Sequence, residues 1–230
     1  MTSGNGILVV IPARAGSQRL PRKNVLPLAG KPLICWTIEV ALQASLDARI
    51  VVTSDDEEVL AIASQYQDRG ILGYRRPSEL ATDDASTSDV LLNLLEGERA
   101  AGREVATIVL LQPTSPLRSV EDIQQALELY ERHGAANKTV VSVCKVDHPI
   151  GWNGDVGPDL SFERFRIGEE GDRAPEYRLN GAVYVIPVSE FMEHGNILEE
   201  PLIASVMPRE RSVDIDDALD FRLCDALLRT

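Results

Sequence analysis

Ile7-Leu8-Val9-Val10-Ile11 is an unbroken run of apolar side chains closed by Pro12, and no other feature restricts the fold of this chain as strongly. A strand with one wet face alternates apolar and polar residues. A strand apolar at every position is buried on both faces, the habit of parallel sheets covered by helices. Further strand signals lie at Arg49 to Thr53, Thr107 to Leu111, Thr139 to Val143, Gly181 to Ile186 and Leu202 to Met207. Helical signals fall between them. Lys31-Pro32-Leu33 opens a helix with proline in its first turn, where a missing N–H is harmless. Asp55 caps a second helix, with Asp56, Glu57 and Glu58 in its first turn and Val59, Ile62, Ala63 and Tyr66 at helical spacing. Ser119 and Asp122 make a capping-box-like start, with Val120, Ile123, Leu127 and Tyr130 on one face. Asp216 to Leu228 reads as a closing helix with Leu219, Leu223 and Leu227 turned inward. The expected fold is α/β, a three-layer doubly wound and mostly parallel sheet in a single domain over residues 1–230. Ligands then sit beyond the carboxyl ends of the strands.

One stretch interrupts this rhythm. From about Asp147 to Arg178 there are several glycines and prolines, many charges and little periodicity. A segment of that length in a compact domain is expected to protrude, either as a dimerisation arm or as a plain surface insertion.

Charge narrows the function. Lys plus Arg number 23 against 36 Asp plus Glu, a net charge of −13, which disfavours nucleic acid and anionic membranes as partners. No run approaches the roughly 20 apolar residues of a membrane span, and the first six residues lack the basic flank of a signal peptide, so a cytoplasmic protein is expected. Cys35, Cys144 and Cys224 form no C-x-x-C pair and read as reduced core residues. Within this acidic chain, residues 1–38 hold Arg14, Arg19, Arg22, Lys23 and Lys31 and no acid. A small basic region in an acidic protein suits a small polyanion such as a nucleoside triphosphate.

Those cations sit mainly in Pro12-Ala13-Arg14-Ala15-Gly16-Ser17-Gln18-Arg19-Leu20-Pro21-Arg22-Lys23-Asn24, directly after the first strand. Ala13, Gly16 and Ser17 are small enough to let backbone N–H groups approach a phosphate, the arginines offer forked donors, and Lys23 offers a point charge. The loop is neither a Walker A sequence nor a dinucleotide G-x-G-x-x-G fingerprint. Asp214 and Asp216, spaced i and i+2, can converge on an oxygen-coordinated Mg²⁺ or Mn²⁺; Asp216 alone can also serve as a helix cap. Arg76 beside Arg75 can be a solvated pair at a strand end, and Gln112 can bond loop backbone only.

Taken together, the first loop, Arg76-Pro77-Ser78-Glu79-Leu80-Ala81, Leu111-Gln112-Pro113-Thr114-Ser115-Pro116-Leu117-Arg118, Asn180-Gly181-Ala182-Val183-Tyr184 and Ser212-Val213-Asp214-Ile215-Asp216 closely resemble the acylneuraminate cytidylyltransferases, or CMP-sialic acid synthetases. The related CMP-KDO synthetases carry a Q-G-D-E-P-type segment where this chain has Q-P-T-S-P. The resemblance implies transfer of CMP from CTP to the anomeric hydroxyl of a nine-carbon 2-keto sugar acid, with release of pyrophosphate. It implies a homodimer whose protruding segments complete the partner's site. It also implies roles: Arg14 and Lys23 hold the triphosphate with Asn24 near the nucleotide, and Arg76 with Ala85-Ser86-Thr87 recognises cytosine. Gln112, Thr114 and Ser115 face ribose and sugar, Arg178 meets the sugar acid, Asn180 joins the substrate-binding set, and Asp214 and Asp216 bind the metal. The metal would acidify the attacking hydroxyl, making a histidine base unnecessary. Where sialic acid members often have lysine after the His-Pro pair, His148-Pro149 is followed here by Ile150-Gly151-Trp152. An indole lacks the counter-charge for a polar tail and suits a less polar substituent, such as the 9-deoxy methyl of a legionaminic- or pseudaminic-type acid. Two other readings are a nucleotide-binding regulatory module without catalysis and a nucleotidyltransferase acting on a sugar phosphate or isoprenoid alcohol. The first sits poorly with the intact Lys23, Asp214 and Asp216, and the second does not explain Q-P-T-S-P and D-I-D together.

Overall fold

The unbroken apolar runs become the middle of a seven-stranded sheet. The structure is a computed structural model and describes residues 6–17, 19–82, 85–133, 138–146, 148, 152–158, 160–164 and 176–229. Its main strands are β1 (Ile7–Pro12), β4 (Ala48–Ser54), β5 (Ile71–Arg75), β6 (Thr107–Leu110), β7 (Val140–Lys145), β10 (Tyr177–Pro187) and β11 (Ile203–Val206). They lie in the order β11-β7-β10-β6-β1-β4-β5. All neighbours run parallel except β10, which is antiparallel to β6 and β7. A two-stranded ribbon, β2 (Pro27–Leu28) and β3 (Lys31–Pro32), sits on the first connection.

Pleating turns alternate residues of each strand to opposite faces. Val9 and Ile11 pack under α1 (Leu33–Gln43), α2 (Glu57–Ser64) and α4 (Val120–Arg132), against Ile34, Ile38, Ile62 and Ile123. Leu8 and Val10 face α3 (Thr87–Ala100) and α5 (Val188–His194), against Leu91, Leu94 and Phe191. The result is the expected three-layer arrangement. All three cysteines are buried and free. No helix among the described residues is long and apolar enough to cross a membrane.

Several local expectations need correction. Pro32 is extended (ψ 141°) and stands at the N-cap of α1, because its carbonyl side belongs to the β2–β3 ribbon. Asp56, not Asp55, caps α2 by accepting the Glu58 N–H at 2.8 Å. The helices α3 and α5 are not expected from the sequence, and of β5 only its end at Arg75 is. For α3 the reason is visible: Gly97 and seven charged or polar positions blur its apolar face, and the helix is fixed instead by a Ser86–Asp89 capping box and by burial of Val90, Leu91, Leu94 and Leu95. The closing helix, α6 (Ala218–Leu228), is rotated from the expected orientation. Leu219, Leu223 and Leu227 are 65%, 47% and 38% exposed, while Cys224 is buried, and Phe221 and Leu228 pack against Leu28, Leu33 and Ile215. Its cap is Asp217, which accepts from Leu219 and Asp220, so Asp216 is released from capping.

The excursion is described only in part. It holds β8 (Gly154–Val156) and β9 (Phe162–Arg164), paired antiparallel, and returns to the sheet through β10. Pro149, Ile150 and Gly151 lie outside the described residues.

Candidate active site

At the carboxyl ends of β1, β5 and β6 the sheet opens into a cleft of about 790 Å³, lined among others by Arg14, Ser17, Lys23, Asn24, Arg76, Ala85, Thr87, Gln112, Thr114, Asp214 and Asp216. Residues from five distant stretches of chain thus share one cavity. Strand ends in a parallel sheet splay their following loops to opposite sides, which leaves such a crevice.

The first wall is the basic loop. Ala13 is buried and does not line the cleft. It anchors the loop instead: its N–H donates to the Thr53 carbonyl at 2.9 Å and its carbonyl accepts from Ser54 Oγ. Asp55 accepts the Ala15 N–H at 3.0 Å, so the carboxylate expected to cap a helix fixes this turn. Asn24 is buried and donates to the Arg14 carbonyl at 3.1 Å, drawing the two ends of the loop together. Gly16 is exposed at the loop crest and outside the cleft lining. Arg76 is 7% exposed; its guanidinium donates to the Thr53 carbonyl at 3.3 Å. Burial pulls its pKa down while Asp55 pushes it up. Opposite it, Ala85, Ser86 and Thr87 form the amino end of α3.

The second wall carries the acids. Lys23 reaches them across the cleft, its Nζ donating to the Ile215 carbonyl and lying 4.0 Å from Asp216 Oδ1. Burial lowers the Lys23 pKa, and Asp216 and Asp214 work against that. Arg19 pairs with Asp216 at 3.0 Å in an exposed contact. The Thr114 carbonyl accepts the Ile215 N–H at 2.8 Å, and Thr114 also hydrogen-bonds the Asp214 carboxylate. Burial raises the Asp214 pKa above the usual carboxylate range, partly offset by Thr114 and Lys23. Its Oδ1 is buried and has no hydrogen-bond partner among the described residues.

That orphaned oxygen is the test for a metal. A carboxylate oxygen kept from water and left without a donor is costly, and a divalent cation is a partner that relieves it. Among the described residues no group of three or more His, Cys, Asp or Glu is placed to hold a metal. Two carboxylates still suit Mg²⁺, which is commonly held by one or two carboxylates together with substrate phosphates and water. The residues therefore fit the ion.

Ser115 and Asn180 lie beneath the cleft, not in it. Ser115 is fully buried, with Oγ directed at the Asn180 carbonyl at 3.4 Å. Asn180 is 1% exposed; it donates to Ser212 Oγ at 2.9 Å and accepts from Ser142 Oγ at 2.6 Å. This network satisfies backbone groups where the register of β10 slips between Leu179 and Tyr184, and it carries Ser212 at the head of the Asp214 segment. Arg178 stands on the exposed stretch of β10 outside the cleft lining, with a long 3.4 Å contact to the Ser212 carbonyl. Gly181, at φ +73°, occupies the bend itself. A Cβ there would stand 2.7 Å from Gln112 Oε1 and 3.6 Å from Asp214 Oδ2, so only glycine admits both side chains.

The histidines stand apart from the cleft. His133 ends α4, His194 ends α5 within 3.4 Å of Glu190, and His148 stacks on Trp152 with ring centroids 5.5 Å apart.

A family model described as cytidylyltransferase matches residues 8–149. The CMP-N,N'-diacetyllegionaminic acid synthase of Legionella pneumophila is 34% identical, with 96% of each chain covered. The N-acylneuraminate cytidylyltransferase of Escherichia coli is 36% identical over 94% of this chain, which spans about half (51%) of that longer protein. Among solved structures, a CMP:2-keto-3-deoxy-manno-octonic acid synthetase complexed with CTP superposes with a TM-score of 0.74 at 20% identity, covering 97% of this chain and 98% of that one; at that identity it shows the shared fold. With the family model spanning more than half of its length and relatives above 30% identity over nearly all of it, this chain belongs to the cytidylyltransferase family, in the branch of the N-acylneuraminate enzymes.

Proposed function

We propose that the protein transfers the cytidylyl group of CTP to the anomeric hydroxyl of a nine-carbon 2-keto sugar acid. The observation that carries this reading is the facing of Lys23 and the partly buried Asp214–Asp216 pair across one cleft, with an Asp214 oxygen left without a partner. The anomeric oxygen bonds to the α-phosphorus, and the bond from that phosphorus to its bridging oxygen breaks. Pyrophosphate leaves with the electron pair and the hydroxyl proton passes to water. Such a transfer needs in-line placement and neutralisation of phosphate charge. Lys23 and Arg14 hold the triphosphate beside the small residues of the first loop. Arg76 and the amino end of α3 hold the base. Gln112 and Thr114 border the ribose and sugar. Asp214 and Asp216 would hold Mg²⁺, which when bound supplies charge neutralisation at the phosphate oxygens.

The finer substrate is a 9-deoxy acid of the legionaminic or pseudaminic type. Two things support it: the activity for which the Legionella relative is named, and, in the arm outside the cleft lining of this chain, an exposed Trp152 stacked on His148 where sialic acid enzymes often carry a cation. Incubation with CTP, Mg²⁺ and a panel of 2-keto sugar acids, following pyrophosphate, tests the whole reading. We expect release with CTP and little with UTP, and the higher kcat/KM with the 9-deoxy acids. A preference for N-acetylneuraminate of tenfold or more, about 1.4 kcal/mol, would overturn the substrate assignment while leaving the transfer intact. No pyrophosphate with any acid would overturn both.

The working unit in this reading is a homodimer joined through the arm. Val156, Leu160 and Phe162 are 66%, 84% and 54% exposed there, and an apolar surface of that kind favours a protein partner. Light scattering should give twice the 25.2 kDa chain mass; the mass of a single chain would remove this part of the proposal.

A further inference from the structure

Arg118 has no place in the cleft as described, and it is 3% exposed. Its hydrogen-bond acceptors among the described residues are all neutral. Nη1 donates to the Gln112 carbonyl at 3.2 Å and the Ala182 carbonyl at 2.6 Å, and Nη2 donates to Thr37 Oγ1 at 2.8 Å. Nε is buried without a hydrogen-bond partner among the described residues. Three segments far apart in sequence, the loop after β6, the bend of β10 and helix α1, therefore meet on one guanidinium.

Such a group is a poor choice as a mere staple. A cation removed from water and set among neutral acceptors works against folding, and burial draws its pKa down to about 9, against the pull of Asp122. A planar fork contributes something that neither an ammonium nor an apolar side chain does, a fixed geometry among its acceptors. Two of those acceptors flank the site. The Gln112 side chain lies over Gly181, with its Oε1 and Asp214 Oδ2 both close to the position a Gly181 Cβ would take. Ala182 is the next residue. Arg118 thus grips the backbone on both sides of the point where Gln112 approaches Asp214.

We propose that Arg118 is a positioning residue for the transfer reaction, which holds the Gln112 amide at a fixed distance from the Asp214 carboxylate and so keeps the sugar in register with the phosphate. It touches neither substrate. The inference rests on the reading above, in which Gln112 borders the sugar.

Arg118→Lys keeps the charge and loses the fork; Arg118→Met loses both. We expect Arg118→Lys to melt within a few degrees of the parent and to bind CTP with unchanged affinity by calorimetry. Its kcat should fall about 100-fold, the loss expected from a misplacement of about 1 Å, and its KM for the sugar acid should rise. A decline of CTP affinity in step with kcat, or no decline of either, would show a plain structural staple and overturn the proposal. A second readout is independent of activity. With 15N-labelled glutamine, the Gln112 side-chain amide signal is identified by its loss in Gln112→Ala, and it should shift in both Arg118 variants. An unmoved signal overturns the proposal even where the parent releases no pyrophosphate with any sugar acid, a result that faults the transfer reading instead. If Arg118→Lys does not fold, Arg118→Met, freed of the buried charge, provides the same measurements.

Discussion

Asp214→Asn should lower turnover about 1,000-fold, roughly 4 kcal/mol, as befits removal of a charged ligand from a metal that stabilises phosphate charge, while the protein melts at the same temperature or higher. The second half of this expectation follows from burial. Burial raises the Asp214 pKa above the usual carboxylate range, so the ionised form is the disfavoured one in the folded state. At pH values above the unfolded pKa this charge works against folding, and the effect is fully developed once pH exceeds the folded pKa. Asparagine is nearly isosteric and has no charge to desolvate. Its amide keeps an oxygen for the Thr114 contact. Kinetics at saturating CTP and Mg²⁺, with a melting curve of the metal-free protein, checks both halves. Turnover near that of the parent would remove Asp214 from the proposed metal site, and a strongly lowered melting temperature would mean that its carboxylate holds the fold together.

Lys23→Met should weaken CTP binding by about 10- to 150-fold, the equivalent of one charge-assisted hydrogen bond at roughly 1.5–3 kcal/mol, with a smaller effect on turnover at saturating CTP. Methionine keeps the apolar stem that packs along the loop and removes only the ammonium. The charge matters twice here. It is available to the triphosphate, and it offsets the repulsion between Asp214 and Asp216, which both raise the Lys23 pKa. Its removal should therefore also raise the Mg²⁺ concentration needed for half-maximal activity. Calorimetric CTP binding and an Mg²⁺ titration measure the two effects. Unchanged CTP affinity would make Lys23 a clasp on the Ile215 carbonyl and nothing more.

Much of this site was legible in the sequence because its groups lie in loops that follow apolar strand runs. A buried parallel strand cannot carry polar chemistry, so the chemistry collects at its carboxyl end. That logic points to the loop after Ile11, to Gln112 and Thr114 after Leu111, and, through two acids at i and i+2, to Asp214 and Asp216. Of these, Arg14, Ser17, Lys23, Asn24, Gln112, Thr114, Asp214 and Asp216 line the cleft. Residues buried beneath the cleft are not distinguished from those lining it by sequence, for an equally physical reason. Ser115 and Asn180 carry polar side chains in chemically suggestive motifs, but the bulge in β10 needs internal hydrogen-bond partners, and they serve it. Asp55 reads as a cap from its position before an acidic first turn, and only the approach of the first loop reveals that its carboxylate binds the Ala15 N–H.

The sequence by itself determined the layer architecture, since runs apolar at every position have one stable use, and it determined the sign of charge on each wall of the cleft, since five cations precede the first acid. The tertiary structure decided three things. It turned Leu219, Leu223 and Leu227 outward, because the contact of α6 is set by Cys224, Phe221 and the ribbon beneath it, and one helical stripe cannot name its own partner. It moved the cap from Asp216 to Asp217, freeing Asp216 for the cleft. It buried Arg118, because three acceptors from separate segments converge on it, and a convergence of distant segments leaves no trace in local sequence spacing.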